Sequence, residues 1–600
     1  MAAVFETPGA LAEPRCLRVD GPDGSFVLRS PEPLGDYARC VGEWLEHWAR
    51  ATPDAVALAE RDAAAGGDGW RRLTWAQARQ QVGAIAQALL DLQLPAGAPV
   101  VVLSDNAVDH ALLLLAGLHI GQPVCTVSSA YCRLTRDHTK IRAIVQALQP
   151  GLLYASDAAV YGSAIQACGF HGPVVLGSGH DTVPGALPFG ALTRAVESPA
   201  VRQAFEAIAP DDHAKYLLTS GSTGHPKVVI NTHRMVCANQ QMMAQTWRFL
   251  ADTRPVLLDW LPWSHTFGAN HNLHLVLRHG GTLYIDDGRP APGLVERTLA
   301  NLRAVQPTLY FNVPRGIDML LPLLEADPDT ARQALARLQM VFYAGAALTN
   351  ASWQRLQALA ARVRAEPLWL TTSWGATETS PAVTSAHWKL DGAGNIGLPL
   401  PGMELKFVPN GEKLELRVRG VSVFPGYRNA PELTQAAFDD AGFYRIGDAG
   451  RLADPARPEA GVLFDGRVAE DFKLGTGTWV SVGTLRVKLV SALAPLVQDA
   501  VITGHDRAEA GALLFPSAQA AALEPPVLQA ALQAGLQRLN AGAAGSSGRV
   551  TRVRVLAEPP NADAGEITDK GYLNQRAVLA RRAAEVEALY DNAAGTVLAA

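Results

Sequence analysis

Tyr216-Leu-Leu-Thr-Ser-Gly-Ser-Thr-Gly-His-Pro-Lys227 is the stretch on which the reading of this 600-residue chain turns. A run of apolar residues typical of a buried strand leads into a loop of glycines and hydroxyl side chains, closed by one lysine. Such a loop can wrap backbone N–H groups and hydroxyls around phosphate oxygens while the ammonium supplies charge. The lysine is outside the Gly-x4-Gly-Lys-Ser/Thr spacing, so this is not a Walker A loop. The candidate phosphate ligands are Thr219, Ser220, Gly221, Ser222, Thr223, Gly224 and Lys227.

On either side of that loop, short β-rich runs alternate with longer segments of helical period. Val100–Leu103, Leu152–Tyr154, Val174–Leu176, Val256–Leu258, Leu309–Phe311, Val341–Tyr343 and Leu368–Leu370 are of the first kind. Trp75 to Leu92 is of the second, with Val82, Ile85, Ala86, Leu89 and Leu90 at helical spacing. This alternation predicts parallel, doubly wound sheets covered by helices. Near residue 400 the texture changes. Leu405–Val408 and Leu414–Val418 alternate strictly around Pro409-Asn410-Gly411, which predicts an antiparallel hairpin. After Gly466-Arg467 comes a tail with its own strands, Val501–Thr503 and Val553–Val555, and a helix from about Asn574, the size of a separate small domain.

Composition narrows the function classes. Apolar residues make up 48% of the chain and charged residues 18%, enough for a large core and too apolar for global disorder. Fifty-two basic and 57 acidic residues give a net charge of −5 without a basic block, which argues against a nucleic-acid footprint. The longest apolar run, Ala111–Leu118, is stopped by His110 and His119 and is too short to span a bilayer. The N-terminus lacks the charged and apolar pattern of a secretory signal. Six cysteines, none in a Cys-x-x-Cys pair, read as scattered thiols of a reducing compartment. A cytoplasmic enzyme is expected.

Thr219–Lys227 resembles the signature loop of the adenylate-forming superfamily of acyl- and aryl-CoA ligases, peptide-synthetase adenylation domains and luciferases, with Val228 where the family usually has glycine. Further motifs follow in the family's order. Leu261-Pro-Trp-Ser-His-Thr-Phe-Gly268 resembles the segment whose histidine, here His265, lies at the acyl pocket. Phe342–Leu348 resembles the turn lining the adenine and acyl sites, which implicates Ala344, Gly345, Ala346 and Ala347. Trp374-Gly-Ala-Thr-Glu378 resembles the aromatic-Gly-x-Thr-Glu motif. That match implies stacking of Trp374 on adenine, contact of Thr377 with the α-phosphate and Mg²⁺ on Glu378. Each role suits its side chain, a broad π face and a hard oxygen ligand among them. Gly442–Asp448 resembles the motif whose aspartate accepts from both ribose hydroxyls, and Gly466-Arg467 the start of the interdomain hinge, with Arg467 near the ribose. Ala469 stands where the family has a charged hinge residue, followed by Glu470 and Asp471, which leaves the pivot open. At the C-terminus Glu566 occupies the Gly-Lys slot of the family's catalytic lysine, so Lys570 is the candidate. Within the superfamily, Ser30–Leu34, Trp374–Pro381, Gly466–Lys473 and Gly565–Gly571 look most like feruloyl-CoA synthases.

The resemblance implies an α/β fold. Residues 1–465 would form a large AMP-binding domain of doubly wound sheets with a small β-barrel-like subdomain. Residues 466–600 would form a small mobile α+β lid carrying the catalytic lysine. The implied chemistry joins a carboxylate to ATP with Mg²⁺, giving an acyl-adenylate, and then to CoA, with catalysis by Lys227, Thr377, Glu378 and Lys570. An aromatic acid such as ferulate would lie in a slot thinned by Ala344, Gly345 and Gly375, with His265 at its carboxylate end. Asn312 is the candidate amide for a ring hydroxyl or methoxy group, or else a residue that satisfies local backbone. A fatty acyl-CoA ligase, a carrier-loading adenylation domain and a nucleotide-binding module without activity remain as rivals.

Overall fold

The computed structural model describes the chain apart from residues 1–8, 63, 65–67, 134–137, 221–225, 544, 562–563, 568–572 and 600, with Ser220 described in its backbone. Its centre is a run of parallel strands in the spatial order Trp369–Gly375, Met340–Tyr343, Leu309–Asn312, Val256–Asp259, Thr282–Ile285 and Val56–Arg61. From Val256–Asp259 the chain moves to one neighbour, Thr282–Ile285, and then returns to the other, Leu309–Asn312. The crevice between Val256–Asp259 and Leu309–Asn312 is therefore a topological switch point, where ligands of open α/β sheets lie beyond the carboxyl ends of the strands.

A second sheet carries the glycine-rich segment. Val124–Val127, Val100–Leu103, Leu152–Asp157 and Val174–Ser178 run parallel, and His213–Ser220 joins them beside Val124–Val127. Pro226–Thr232 pairs antiparallel with His213–Ser220, so Thr219 lies opposite Lys227. The largest core fills the space between the two sheets, with Val100 and Val102 from one, Leu257, Phe311 and Phe342 from the other, and Trp75, Trp247 and Trp263 among them. Each tryptophan removes about 200 Å² from water, about 5 kcal/mol of hydrophobic stabilisation. Trp75 opens the helix Trp75–Asp91, whose start is fixed by a capping box between Thr74 and Gln77 and whose buried face includes Val82, Ile85, Ala86 and Leu89.

The antiparallel region expected as a barrel-like subdomain continues the first sheet in hydrogen-bonded succession. From Trp369–Gly375 the order runs through Ala382–Ser385, Asn395–Pro399, Val462–Arg467, Tyr444–Leu452, Lys413–Gly420, Met403–Asn410, Phe26–Arg29 and Leu17–Asp20. The hairpin is longer than its alternating core, because Asn410 pairs with Lys413 and Gly411 turns the chain at φ +61°. Beyond Arg467 a mixed sheet of Val497–Thr503, Gly511–Pro516, Arg552–Val555 and Thr596–Leu598 packs helices Val482–Ala492 and Pro525–Ala541 around a core of its own, including Leu489, Ile502, Leu514 and Leu536. Asn574 caps the helix Gln575–Arg581. All six cysteines are free, and no helix among the described residues is long and apolar enough to cross a membrane.

Candidate functional site

The first constellation forms where Pro226–Thr232 meets a distant segment. Its backbone is bonded by Gly426–Arg428: Arg428 N donates to Val228 O (2.9 Å), and Ile230 N donates to Gly426 O (3.3 Å). That docking sets the Lys227 ammonium 5.1 Å from the centre of the Tyr427 ring. The Tyr427 hydroxyl donates to Glu378 Oε1 (3.1 Å). Burial, and next the charge of Glu378, hold the Tyr427 phenol well above its ordinary range, so it stays a donor. Lys227 and Glu378, 151 positions apart in sequence, are thus bridged by one phenol. A cavity of about 360 Å³ opens beside them, lined by Lys227, Tyr427, Arg428, Gln146 and Gln149.

The turn that carries Glu378 is tightly held. Thr377–Thr379 is a single 3₁₀ turn in which Thr379 Oγ1 accepts from Ala376 N (2.8 Å) and donates to Pro381 O (2.5 Å). Phe424 N donates to Glu378 O (2.8 Å). Asn239 clamps Ala382 just beyond the turn, donating to Ala382 O (2.7 Å) and accepting from Ala382 N (3.2 Å). A side chain at Gly375 would place its Cβ 1.8 Å from Pro381 O, so only glycine fits beneath this turn. Thr377 and Glu378 are both buried.

The second constellation joins the end of Trp369–Gly375 to the antiparallel strands. Trp374 Nε1 donates to Asp448 Oδ2 (2.8 Å). Asp448 and Arg467 are cross-strand partners, with Arg467 Nε 3.3 Å from Asp448 Oδ1. Burial raises the Asp448 carboxyl above its usual range, against the pull of Arg467 and the Trp374 hydrogen bond. Oδ1 is buried and accepts no hydrogen bond among the described residues. One oxygen of this carboxylate is therefore held by a hydrogen bond, and the other has only the ion pair with Arg467.

The switch-point crevice is bordered by Trp260, Asn312 and Ala344, which end or follow neighbouring strands. Ala344 is half-buried, while Gly345 (φ +86°), Ala346 and Ala347 are exposed. Asn312 is not turned to a ligand. Its Oδ1 accepts from Val313 N (2.9 Å) and Trp260 Nε1 (3.2 Å), and its Nδ2 donates to Tyr310 Oη (2.7 Å). The strand's alternation places Asn312 with Tyr310 on the face opposite Phe311, so the expected ring contact is corrected to a local one. His265 is buried at the head of a π-helix, Phe267–Leu273.

Glu566, in the slot expected for lysine, is fully buried. It receives Arg582 at Oε1 (2.7 Å) and Oε2 (2.9 Å), and Arg581 at Oε2 (2.9 Å). Those bonds, chiefly Arg582, hold its carboxyl below the usual range. Ile567 and Leu573 form an isolated antiparallel bridge. Lys570 and Gly221, Ser222, Thr223 and Gly224 lie outside the described residues. In the segment expected as the hinge, Asp471 rather than Ala469 or Glu470 is tied across, pairing with Lys413 and accepting from Val482 N (2.9 Å).

Two residues of these constellations escaped sequence reasoning. Tyr427 had one faint signal, the turn glycine Gly426 before it. His271, the second histidine after Trp263, had none, because its setting depends on a π turn. Among the described residues no three His, Cys, Asp or Glu side chains cluster as metal ligands. A single carboxylate such as Glu378 suits Mg²⁺, which keeps several waters and phosphate oxygens of its own.

Residues 45–428 match the family of AMP-binding enzymes, and residues 476–594 match the AMP-binding enzyme C-terminal domain. The Humulus lupulus protein "Probable CoA ligase CCL8" is 27% identical over 338 residues, 52% of this chain and 53% of its own. The chain thus spans about half the length of that relative. The 4-coumarate–CoA ligase 2 of Oryza sativa subsp. japonica is 27% identical over 72% of this chain and 76% of its own. The anthranilate CoA ligase AuaEII, solved with anthranoyl-AMP, superposes with a TM-score of 0.73 at 19% identity, covering 93% of this chain and 99% of its own.

Proposed function

The chain belongs to the AMP-binding enzyme family, and on that premise we propose that it is an ATP-dependent carboxylate–CoA ligase acting on hydroxycinnamates such as ferulate. The observation that carries the reading is the Asp448 carboxylate, buried, held at Oδ2 by Trp374 and left without a hydrogen bond at Oδ1 beside Arg467. A buried acceptor in that state suits a ribose hydroxyl, and its Trp374 partner is the chain neighbour of Gly375.

In the first half reaction a carboxylate oxygen of the acid attacks the α-phosphorus of ATP and the bond to pyrophosphate breaks. The nucleophile is already ionised at neutral pH, so the protein supplies position and charge rather than a base. Lys227 offers its ammonium to phosphate oxygens, Thr377 a hydroxyl to the α-phosphate, and Trp374 its indole to the adenine. Glu378, steadied by Tyr427, would hold Mg²⁺, which when bound offsets phosphate charge. Lys570 is assigned to the bridging oxygens of the transition state. In the second half reaction the CoA thiol attacks the acyl carbon, AMP leaves and the thiol proton passes to solvent. Rotation of residues 466–600 about the Arg467–Asp471 segment would exchange the two arrangements.

Pyrophosphate release from ATP should require an acid, and CoA thioester should follow with ferulate and 4-coumarate ahead of benzoate and octanoate. ATP turnover indifferent to every acid would overturn the ligase reading, and a preference for octanoate would overturn the aromatic one. The resemblance of four segments to feruloyl-CoA synthases and the 4-coumarate–CoA ligase among the relatives support the choice of acid.

A further inference from the structure

An aromatic cluster packs between the strands Leu309–Asn312 and Met340–Tyr343 and the segment that follows Val256–Asp259, and His271 is the imidazole within it. After Val256–Asp259 the chain forms the π-helix Phe267–Leu273, with His271 N donating to Thr266 O (3.0 Å) five residues back. A Cβ at Gly268 would come 2.2 Å from Leu261 O, so this turn can press against the preceding segment only with glycine. The result is an imidazole enclosed by rings. The His271 centroid lies 4.9 Å from Phe342, 5.2 Å from Phe311, 5.6 Å from Phe267 and 5.9 Å from Trp247.

The tautomer of that imidazole follows from its partners. Asp259 accepts from Leu261 N (3.0 Å) and from Asn272 Nδ2 (2.9 Å). An ionised carboxylate only accepts, so the amide nitrogen of Asn272 faces Asp259 and its oxygen faces His271. Asn272 Oδ1 lies 2.9 Å from His271 Nδ1, which therefore carries the hydrogen. Burial holds the ring neutral, with its pKa down at about 4. Nε2 is left as a lone-pair acceptor, buried and without a partner among the described residues. His271 is 1% exposed, and a buried acceptor with no donor costs free energy that folding has no reason to spend.

We propose that His271 Nε2 accepts the hydrogen bond of a ring hydroxyl on the aromatic acid, and so selects acids hydroxylated opposite the carboxylate-bearing arm. This rests on the ligase reading above and replaces Asn312 as the polar contact. Trp247, Phe311 and Phe342 are fully buried and Phe267 is only partly so, which makes Phe267 the least enclosed side of the imidazole's surroundings. A flat ring entering there would lie among apolar faces and present its hydroxyl to His271 Nε2. A methoxy group at the same position has no hydrogen to donate, and an unsubstituted ring leaves Nε2 unpaired.

Pyrophosphate release is measured at pH 8, above the value of about 7 to which burial raises Asp259. The acids are 4-hydroxycinnamate, 4-methoxycinnamate and cinnamate, the enzymes wild type, His271→Phe and His271→Gln. Wild type should favour the hydroxylated acid by roughly tenfold or more in kcat/KM over each of the others. His271→Phe should abolish that preference by losing activity on 4-hydroxycinnamate alone, and His271→Gln, which keeps an acceptor, should restore part of it. Equal use of the three acids by wild type, or a preference that survives His271→Phe, overturns this inference and leaves the ligase reading standing. Turnover of octanoate with no cinnamate overturns both. If His271→Phe does not fold, the wild-type ratios decide alone.

Discussion

Replacing Lys215 with methionine should make the protein more stable, and by an amount that depends on pH. Lys215 lies on His213–Ser220 beside Val124, its side chain 1% exposed and its ammonium without a hydrogen-bond partner among the described residues. The titratable groups that feel its charge are His110, His274 and Cys125, and none is a counter-ion. Burial holds His110 at about 4 and His274 well below its ordinary value, so both stay neutral, as does His233 beside them. Desolvation lowers the Lys215 ammonium from 10.5 to about 7. At about 1.4 kcal/mol per pH unit, keeping the proton in the folded chain costs on the order of 5 kcal/mol. That cost is complete below pH 7, where folded and unfolded chains both carry the proton. Between pH 7 and 10.5 the unfolded chain binds more protons, so wild-type stability rises with pH. Methionine keeps the length of the side chain without the charge. Urea unfolding at pH 6.5 and at pH 9 should show the variant more stable at both, with the gap at pH 9 reduced by about half or more. A variant less stable than wild type, or a gap that does not narrow with pH, would mean that the ammonium is compensated inside the fold.

Asp448→Ala should raise KM for ATP roughly tenfold or more while leaving KM for the acid alone, since a charged hydrogen bond is worth about 1.5–3 kcal/mol. An unchanged KM for ATP would place the ribose elsewhere. Lys570→Ala should slow adenylation by roughly a few hundredfold and leave thioester formation from supplied acyl-adenylate nearly intact. Equal losses in the two half reactions would remove Lys570 from its assigned role.

Much of the fold was legible because it rests on short-range regularities. Val100–Leu103 and Leu152–Asp157 are runs that only a sheet buried on both faces accommodates, and Thr74 with Gln77 marks the start of a helix by chemistry. What could not be read was pairing. The strands Asn395–Pro399 and Val462–Arg467 lie side by side with the whole hairpin between them in sequence, so the continuity of the first sheet into its antiparallel wing has no local signature. Asn312 shows the same limit on a smaller scale. Its type suited a ligand contact, but the parity of its strand, which sets it beside Tyr310, decides where it points.

The candidate site divides along that line. Trp374, Thr377, Glu378, Asp448 and Arg467 sit in motifs whose residue types announce a role, whereas Tyr427 and His271 draw theirs from surroundings. Tyr427 matters because Pro226–Thr232 uses its free edge to bind the Gly426–Arg428 backbone, a contact between segments about two hundred positions apart. His271 matters because a π turn, invisible to a search at a period of 3.6, sets it over Phe311 and Phe342 instead of among ordinary core contacts. Of the two strands beneath it, Leu309–Asn312 borders the switch point, where the order Thr282–Ile285, Val256–Asp259, Leu309–Asn312 makes the chain cross from one side to the other. The crossing leaves the crevice, and the segment that crosses first is the one that carries His265, Phe267 and His271. On the proposal that His271 receives the ring hydroxyl, the connection that follows Val256–Asp259 also supplies the acid contact, so a change of acid specificity should be sought on that crossing segment before the strand ends.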